Sequence, residues 1–334
     1  MHHPGELTVG RPALHSRLQG ERGFVTRVNN LLAILKNAGQ QQILTGHLSR
    51  AQEMDTHMDN QEQVNPLDQA LQQWTRDAEP RAGTTPGWFL EYQPQVALPS
   101  KVMVGVEALV RWKLPNGDVL GPDQFIPWLE GNGWVACLGD WVLRHACQQW
   151  QIWNQNSMWP RMRMSVNVSA YQLRDPNFSA RTLTLLEDLA VDPAILELEL
   201  TEGTAWNNFG QVVAAVNEFR ACGVRVVMDD FGQGVSGLNA LRMLPLDGIK
   251  IDRAFIAGID TDQKRQLIVA SATNLGHQLG LTVTAEGVET AAEWLTLTDL
   301  HCDAAQGYYI SWPLSAKHFT YHGDATHGEE RKSS

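Results

Sequence analysis

From Trp88 onward, short strand-like runs alternate with helix-length amphipathic stretches, and this alternation constrains the fold more than any other feature of the chain. The strand candidates are 88–96, 104–112, 163–169, 196–202, 224–230, 248–252, 281–286 and 304–310. Helical periodicity lies between most of them, as in Val135 to Trp153, Val212 to Cys222 and Gln263 to Leu279. Such an order predicts an α/β fold, a mostly parallel sheet with helices outside it. Eight units over about 250 residues is the size of a closed (β/α)8 TIM-like barrel. Only Ala97 to Met103 joins the first two strands, too short for a parallel crossover, so the first strand is expected to run antiparallel to the second.

Residues 1–85 read differently. They are polar, with Gln-rich stretches at Gln40-Gln41-Gln42 and Gln61-Glu62-Gln63. Phe24 to Lys36 and Pro66 to Trp74 could each form an amphipathic helix, and Glu79 to Gly87 has the Pro, Gly and Thr content of a linker. The expected organisation is a helical or poorly ordered extension over 1–85, a barrel domain over 86–320 and a disordered tail over 321–334. No apolar run approaches the ~20 residues of a membrane helix, and the N-terminus lacks the basic-then-apolar order of a signal peptide. A cytoplasmic location without a membrane span is the expectation. The four cysteines form no CxxC pair and read as reduced structural thiols.

Barrel enzymes carry their chemistry at the C-terminal ends of the strands. Those ends hold Glu107, Asn167, Glu199 and Glu202, Asp229-Asp230, Lys250 and Asp252, Glu286 and Glu289, and Gln306. A single strand-end carboxylate usually faces solvent or caps the next helix. Repetition on strand after strand is harder to assign to capping. Carboxylates converging on one mouth repel one another, and two divalent cations would offset five of them almost completely, four positive against five negative (Glu107, Glu199, Asp229, Asp230, Glu286). Oxygen ligands select Mg2+ or Mn2+, and a pair of such ions suits in-line displacement at phosphorus. The net charge of −11 argues against a duplex nucleic-acid partner. It does not argue against an anionic ligand whose site is reversed in sign by metal.

The ordered motifs are Glu-Ala-Leu-x-Arg-Trp (107–112), Val-Asn-x-Ser (166–169), Glu-Leu-Thr-Glu (199–202), Asp-Asp-Phe-Gly (229–232), Leu-x-x-Leu-Pro (241–245), Lys-Ile-Asp (250–252), Ala-Glu-Gly-Val-Glu (285–289) and Gln-Gly-Tyr (306–308). Together they resemble the EAL domain family, over a stretch from Tyr92 to Pro313 that covers about two-thirds of the chain. The resemblance implies a barrel phosphodiesterase that converts cyclic di-GMP to linear pGpG. It implies one metal held by Glu107, Asn167, Glu199 and Asp229, and a second held by Asp229, Asp230 and Glu286, with Asp229 bridging. By the same resemblance Lys250 orients the attacking water or stabilises charge at phosphorus, and Gln306 and Glu289 hold water, metal ligands or Lys250 in register. Arg111, Gln93 and Asp252 become substrate contacts, and Glu202 braces the loop after Asp-Asp. A homodimer and a regulatory protein partner reached through residues 1–85 are the associated expectations.

One segment departs from the family pattern. Where Phe-Gly-Thr-Gly-Tyr-Ser-Ser is usual, residues 231–237 read Phe-Gly-Gln-Gly-Val-Ser-Gly. A receptor that binds cyclic di-GMP without turnover, or a protein-interaction module, therefore stays open beside the enzyme. The same departure creates a literal GxGxxG at Gly232 to Gly237. A dinucleotide-binding reading needs that motif to open a well-formed helix, and Asp229-Asp230 would set negative charge beside a pyrophosphate. Asn167-Val168-Ser169 matches a glycosylation sequon but sits inside a strand. Trp134, Trp141, Trp150 and Trp153 read as helix packing. His145, His277 and His301 lack metal-ligand spacing.

Overall fold

The computed structural model describes residues 87–155, 162–201, 203, 209–234 and 237–319. The expected extension over 1–85, its two helices and the tail over 321–334 lie outside the described residues. The strands are β1 (Trp88–Ala97), β2 (Met103–Lys113), β3 (Val119–Leu120), β4 (Arg163–Val168), β5 (Leu196–Thr201), β6 (Arg225–Phe231), β7 (Gly248–Ile251), β8 (Thr282–Ala285), β9 (Ala304–Ala305) and β10 (Leu314–Ser315). The helices are α1 (Pro122–Gly131), α2 (Val135–Gln155), α3 (Ala170–Leu173), α4 (Phe178–Asp188), α5 (Phe209–Ala221), α6 (Gly237–Met243), α7 (Arg253–Ile256), α8 (Gln263–Gln278) and α9 (Ala291–Asp299).

Eight strands close a ring in the order β1-β9-β8-β7-β6-β5-β4-β2, and β2 returns to β1. All neighbours from β2 round to β9 are parallel, whereas β1 is antiparallel to both β2 and β9. This is the TIM-like barrel with a reversed first strand that the short β1–β2 link requires. The last strand is shorter than its apolar run. Residues 308–310 form a turn, and the chain then reaches β1 again through β10, which pairs Leu314 with Tyr92.

Strand alternation sorts side chains between the barrel interior and the helical shell. In β5, Leu-Glu-Leu-Glu-Leu-Thr, the leucines Leu196, Leu198 and Leu200 are buried. Burial of each such side chain contributes about 1.5–3 kcal/mol. The glutamates between them, Glu197 and Glu199, meet partners from other strands of the barrel. Of the tryptophans expected to pack, Trp141, Trp150 and Trp153 are buried. Trp88 stands edge-on to Trp112 and Trp141, and Trp153 stacks on Phe319 with ring centroids 4.8 Å apart. Helix starts are fixed by their caps: Asp262 accepts from the backbone of Lys264 and Arg265 at the start of α8, and Thr290 and Glu293 form a capping box at the start of α9. Among the described residues, no helix is long and apolar enough to cross a membrane.

Candidate active site

Glu107 in the middle of β2, Glu199, Asp229 and Lys250 towards the ends of β5, β6 and β7, and Glu286 just after β8 come to one point. Lys250 Nζ lies 2.5 Å from Glu286 Oε1, 2.6 Å from Glu199 Oε2, 3.3 Å from Asp229 Oδ1 and 3.5 Å from Glu107 Oε2. The lysine is 2% exposed and Glu199 is not exposed at all, so the cluster is a buried ionic core and not a solvated rim. Burial alone would lower the Lys250 pKa, but the four carboxylates, Asp229 foremost, outweigh it and keep the ammonium charged.

One ammonium cannot satisfy that many carboxylates. Burial and then its neighbour Glu107 push Glu199 well above the usual carboxylate range. Burial and then Asp229 do the same to Glu286. For Glu107, burial acts in the same raising sense, but Lys250, Gln306 and Asn167 outweigh it and hold the group below its ordinary value. The donors are close: Gln306 Nε2 is 2.6 Å from Glu107 Oε2, and Asn167 Nδ2 is 2.6 Å from Glu107 Oε1. Two buried oxygens here, Asp229 Oδ1 and Gln306 Oε1, receive no hydrogen bond, and Asp229 Oδ1 meets Lys250 only as an ion pair.

Asp229 and Asp230 are consecutive, and in a regular strand they would face opposite sides. The β6–β7 register shifts after Met228: Met228 pairs with Ile249, and the next pair is Phe231 with Ile251. The extra residue is a bulge, and within it Asp230 takes a left-handed backbone, φ +54°. Both carboxylates consequently lie with that of Glu286 in a group whose oxygens are all within 4.8 Å of one another. Oxygens around a Mg2+ ion at about 2.1 Å are separated by about 3 to 4.2 Å. The group thus needs only a small contraction to enclose a cation. Burial, Asp229 and Asp252 push the Asp230 carboxyl up to about 6. An all-oxygen donor set, carboxyls pushed upward by burial and mutual repulsion, and buried oxygens that receive no hydrogen bond together fit hard divalent cations.

The remaining expected residues are distributed around this centre. Gln93 is buried beside it, accepting from Gln306 Nε2 at 3.0 Å and donating to the Ser311 carbonyl at 3.0 Å. Asp252 caps α7 by accepting from Ala254 N, and its other oxygen accepts from Gln233 Nε2 at 2.7 Å. Arg111 is half-buried and forms an ion pair with Glu91 at 2.9 Å, a partner not anticipated from the motifs. Glu289 is exposed and is not among the ion-pair partners of Lys250. Glu202 lies outside the described residues. Gly307 follows Gln306 because a Cβ there would overlap the backbone of Val288.

A second polar layer lies beneath the first. Gln95 Nε2 reaches Glu199 Oε1 at 3.5 Å, Ser165 Oγ donates to Glu197 Oε1 at 2.9 Å, and Arg225 Nε donates to Glu197 Oε2 at 2.9 Å. The signal was present in the alternation of β5, which puts Glu197 on the same face as Glu199.

Comparison with known proteins agrees with this geometry. The EAL domain family model matches residues 80–313. The cyclic di-GMP phosphodiesterase NbdA of Pseudomonas aeruginosa is 39% identical over 225 residues, which are 67% of this chain and 29% of that protein. The structure of the PaMucR phosphodiesterase in complex with c-di-GMP superposes with a TM-score of 0.67 at 36% identity, covering 75% of this chain and 98% of that one. An EAL domain protein from Listeria monocytogenes gives a TM-score of 0.65 at 30% identity, covering 78% and 96%. The chain spans 27 to 43% of the length of the first curated relatives it matches. With its barrel, its ordered motifs and its acidic mouth accounted for over residues 80–313, the chain belongs to the EAL domain family.

Proposed function

We propose that this chain is a cyclic-dinucleotide phosphodiesterase that hydrolyses one phosphodiester bond of cyclic di-GMP to give linear pGpG. The observation that carries the reading is the charge of the mouth. With all five carboxylates ionised, they and the one ammonium, Lys250, sum to −5 + 1 = −4, a charge that burial disfavours and that two divalent cations would neutralise. Relatives named as cyclic di-GMP phosphodiesterases support the choice of substrate.

In this reading Glu107, Asn167, Glu199 and Asp229 hold one Mg2+ or Mn2+ ion, and Asp229, Asp230 and Glu286 hold the other. When bound, the ions supply Lewis acidity at phosphorus and make a water more acidic. Cations bound there would supply the counter-charge that burial denies Glu199 and Glu286, and so would favour their ionised forms. Lys250, charged and fixed by four carboxylates, presents an ammonium where negative charge grows on the phosphoryl oxygens. Gln306 orients Glu107 through one amide hydrogen while its other contact fixes Gln93. Arg111 changes partner from Glu91 to a substrate phosphate, and Asp252 fixes the loop after Asp230. The catalytic domain is taken as residues 86–320, with a homodimer as its working state.

The test is hydrolysis of cyclic di-GMP in isotopically labelled water with Mn2+, read by mass spectrometry against a Glu107→Ala control. One label in the terminal phosphate of pGpG, absent from the control, is the expected result. Binding of cyclic di-GMP with no labelled product would instead support the receptor reading that the 231–237 departure keeps alive.

A further inference from the structure

Gln233 stands in the turn that leaves β6, one of the positions where residues 231–237 depart from the family pattern. Its backbone N–H donates to the Asp230 carbonyl at 3.2 Å. Its side-chain Nε2 donates to Asp252 Oδ2 at 2.7 Å and reaches Asp230 Oδ1 at 3.5 Å. Asp252 is itself anchored: it is 3% exposed at the end of β7, and its Oδ1 accepts from Ala254 N at 2.8 Å. The carboxamide thus links a fixed carboxylate to one that hangs on a bulge in a left-handed backbone.

That linkage has a physical consequence. Asp230 lacks the regular ladder hydrogen bonds that hold a strand residue in place, and Asp252 opposite it carries the same charge. A neutral donor between two carboxylates lowers their repulsion and fixes their spacing at once. The carboxyls of Asp230 and Asp252 also lie within hydrogen-bonding reach of each other, so the amide acts on a pair already in contact. Gln233 is exposed, so it reaches the pair from the solvent side without being part of the packed core.

We propose that Gln233 is a positioning residue, which holds the Asp230 carboxylate in place for cation binding at the Asp229–Asp230–Glu286 end of the site. The inference rests on the reading of that group as a cation site. Gln233 sets how tightly that cation binds and leaves the chemistry of the loaded enzyme to others.

The experiment is Mn2+ binding to the full chain without nucleotide, followed by electron paramagnetic resonance, for the wild type, Gln233→Ala and Gln233→Met. Methionine keeps the length of the side chain and removes the donor. The expected result is two classes of bound Mn2+ in the wild type, with one class loosened about tenfold in both variants while the other holds, the loss typical of one hydrogen bond to a charged group. Turnover at saturating Mn2+ and the KM for cyclic di-GMP stay within about twofold. Unchanged Mn2+ affinity overturns the inference. Equal weakening of both classes together with a fall in melting temperature also overturns it, since the residue would then only hold the turn together. A wild type that binds no Mn2+ removes the cation site itself, and the inference with it.

Discussion

Lys250 Nζ lies 2.6 Å from Glu199 Oε2, so a carboxylate with no solvent exposure has a buried ammonium as its nearest counter-ion. The pair is central to the site, because the same ammonium also touches Glu107, Asp229 and Glu286. Breaking a buried ion pair by removing one partner typically costs about 3–5 kcal/mol. In Lys250→Met the carboxylates can take up protons, which recovers part of that cost. The variant is expected to melt below the wild type in metal-free buffer and to gain more than the wild type from added Mn2+, as scanning calorimetry would show. It should form no pGpG at any Mn2+ concentration. Equal Mn2+ stabilisation in the two proteins would mean that Lys250 and the cations do not share the same carboxylates.

Arg111 and Glu91 form an ion pair whose side chains are 18% and 28% exposed. Partly exposed pairs of this kind contribute about 0–1 kcal/mol, so exchange of Glu91 for a substrate phosphate is inexpensive. Glu91→Gln frees the guanidinium, and the KM for cyclic di-GMP is expected to fall about two- to fivefold with kcat little changed. Arg111→Ala should raise KM by about tenfold or more. Steady-state kinetics on the two variants decide the point, and an unchanged KM in both would exclude Arg111 from substrate contact.

The thiols give a pH-dependent expectation. Burial pushes Cys147 and Cys137 up to about 12 and Cys302 up to about 11, whereas Cys222 is exposed. At pH 8 a thiolate-directed reagent should label about one thiol per native chain, at Cys222, and four after denaturation. The sign of the stability effect follows from the neutral form being favoured in the fold. An unfolded thiol ionises near pH 8.5, so stability is lost progressively as pH rises from there towards 11 and 12. Denaturant titrations at pH 8 and pH 10 would show the lower midpoint at pH 10, and Cys147→Ser should reduce the difference by the share of one of the three thiols raised by burial.

Much of the fold was legible because alternation leaves a strong trace. The eight strands of the barrel and the reversed first strand follow from segment lengths and from the short link after Ala97. The run at 304–310 looked like a full strand because Tyr308, Tyr309 and Ile310 are apolar. The structure turns there instead, with Gly307 packed on Val288 and Tyr309 N bonded to the Val288 carbonyl. Glu107, Glu199, Asp229, Lys250 and Glu286 stood out at strand ends, and the structure brings them together. The placement of Asp230 was not legible from spacing, because an ordinary strand would send it outwards and only the bulge re-aims it. The Arg111–Glu91 and Gln233–Asp252 contacts were equally hidden: the first depends on the register of two neighbouring strands and the second on the path of the turn after β6, and neither leaves a local sequence pattern.

The account turns on Asp229, the carboxylate that touches Lys250 and belongs to the group with Asp230 and Glu286. The most direct measurement is pGpG formation by the full chain as Mn2+ is titrated, with Asp229→Asn measured alongside. The account predicts Mn2+-dependent product from the wild type and a loss of about a thousandfold or more in Asp229→Asn, the scale expected when a metal centre that stabilises the transition state is dismantled. Product formed equally well by Asp229→Asn, or none from a wild type that binds cyclic di-GMP in the presence of Mn2+, would contradict it.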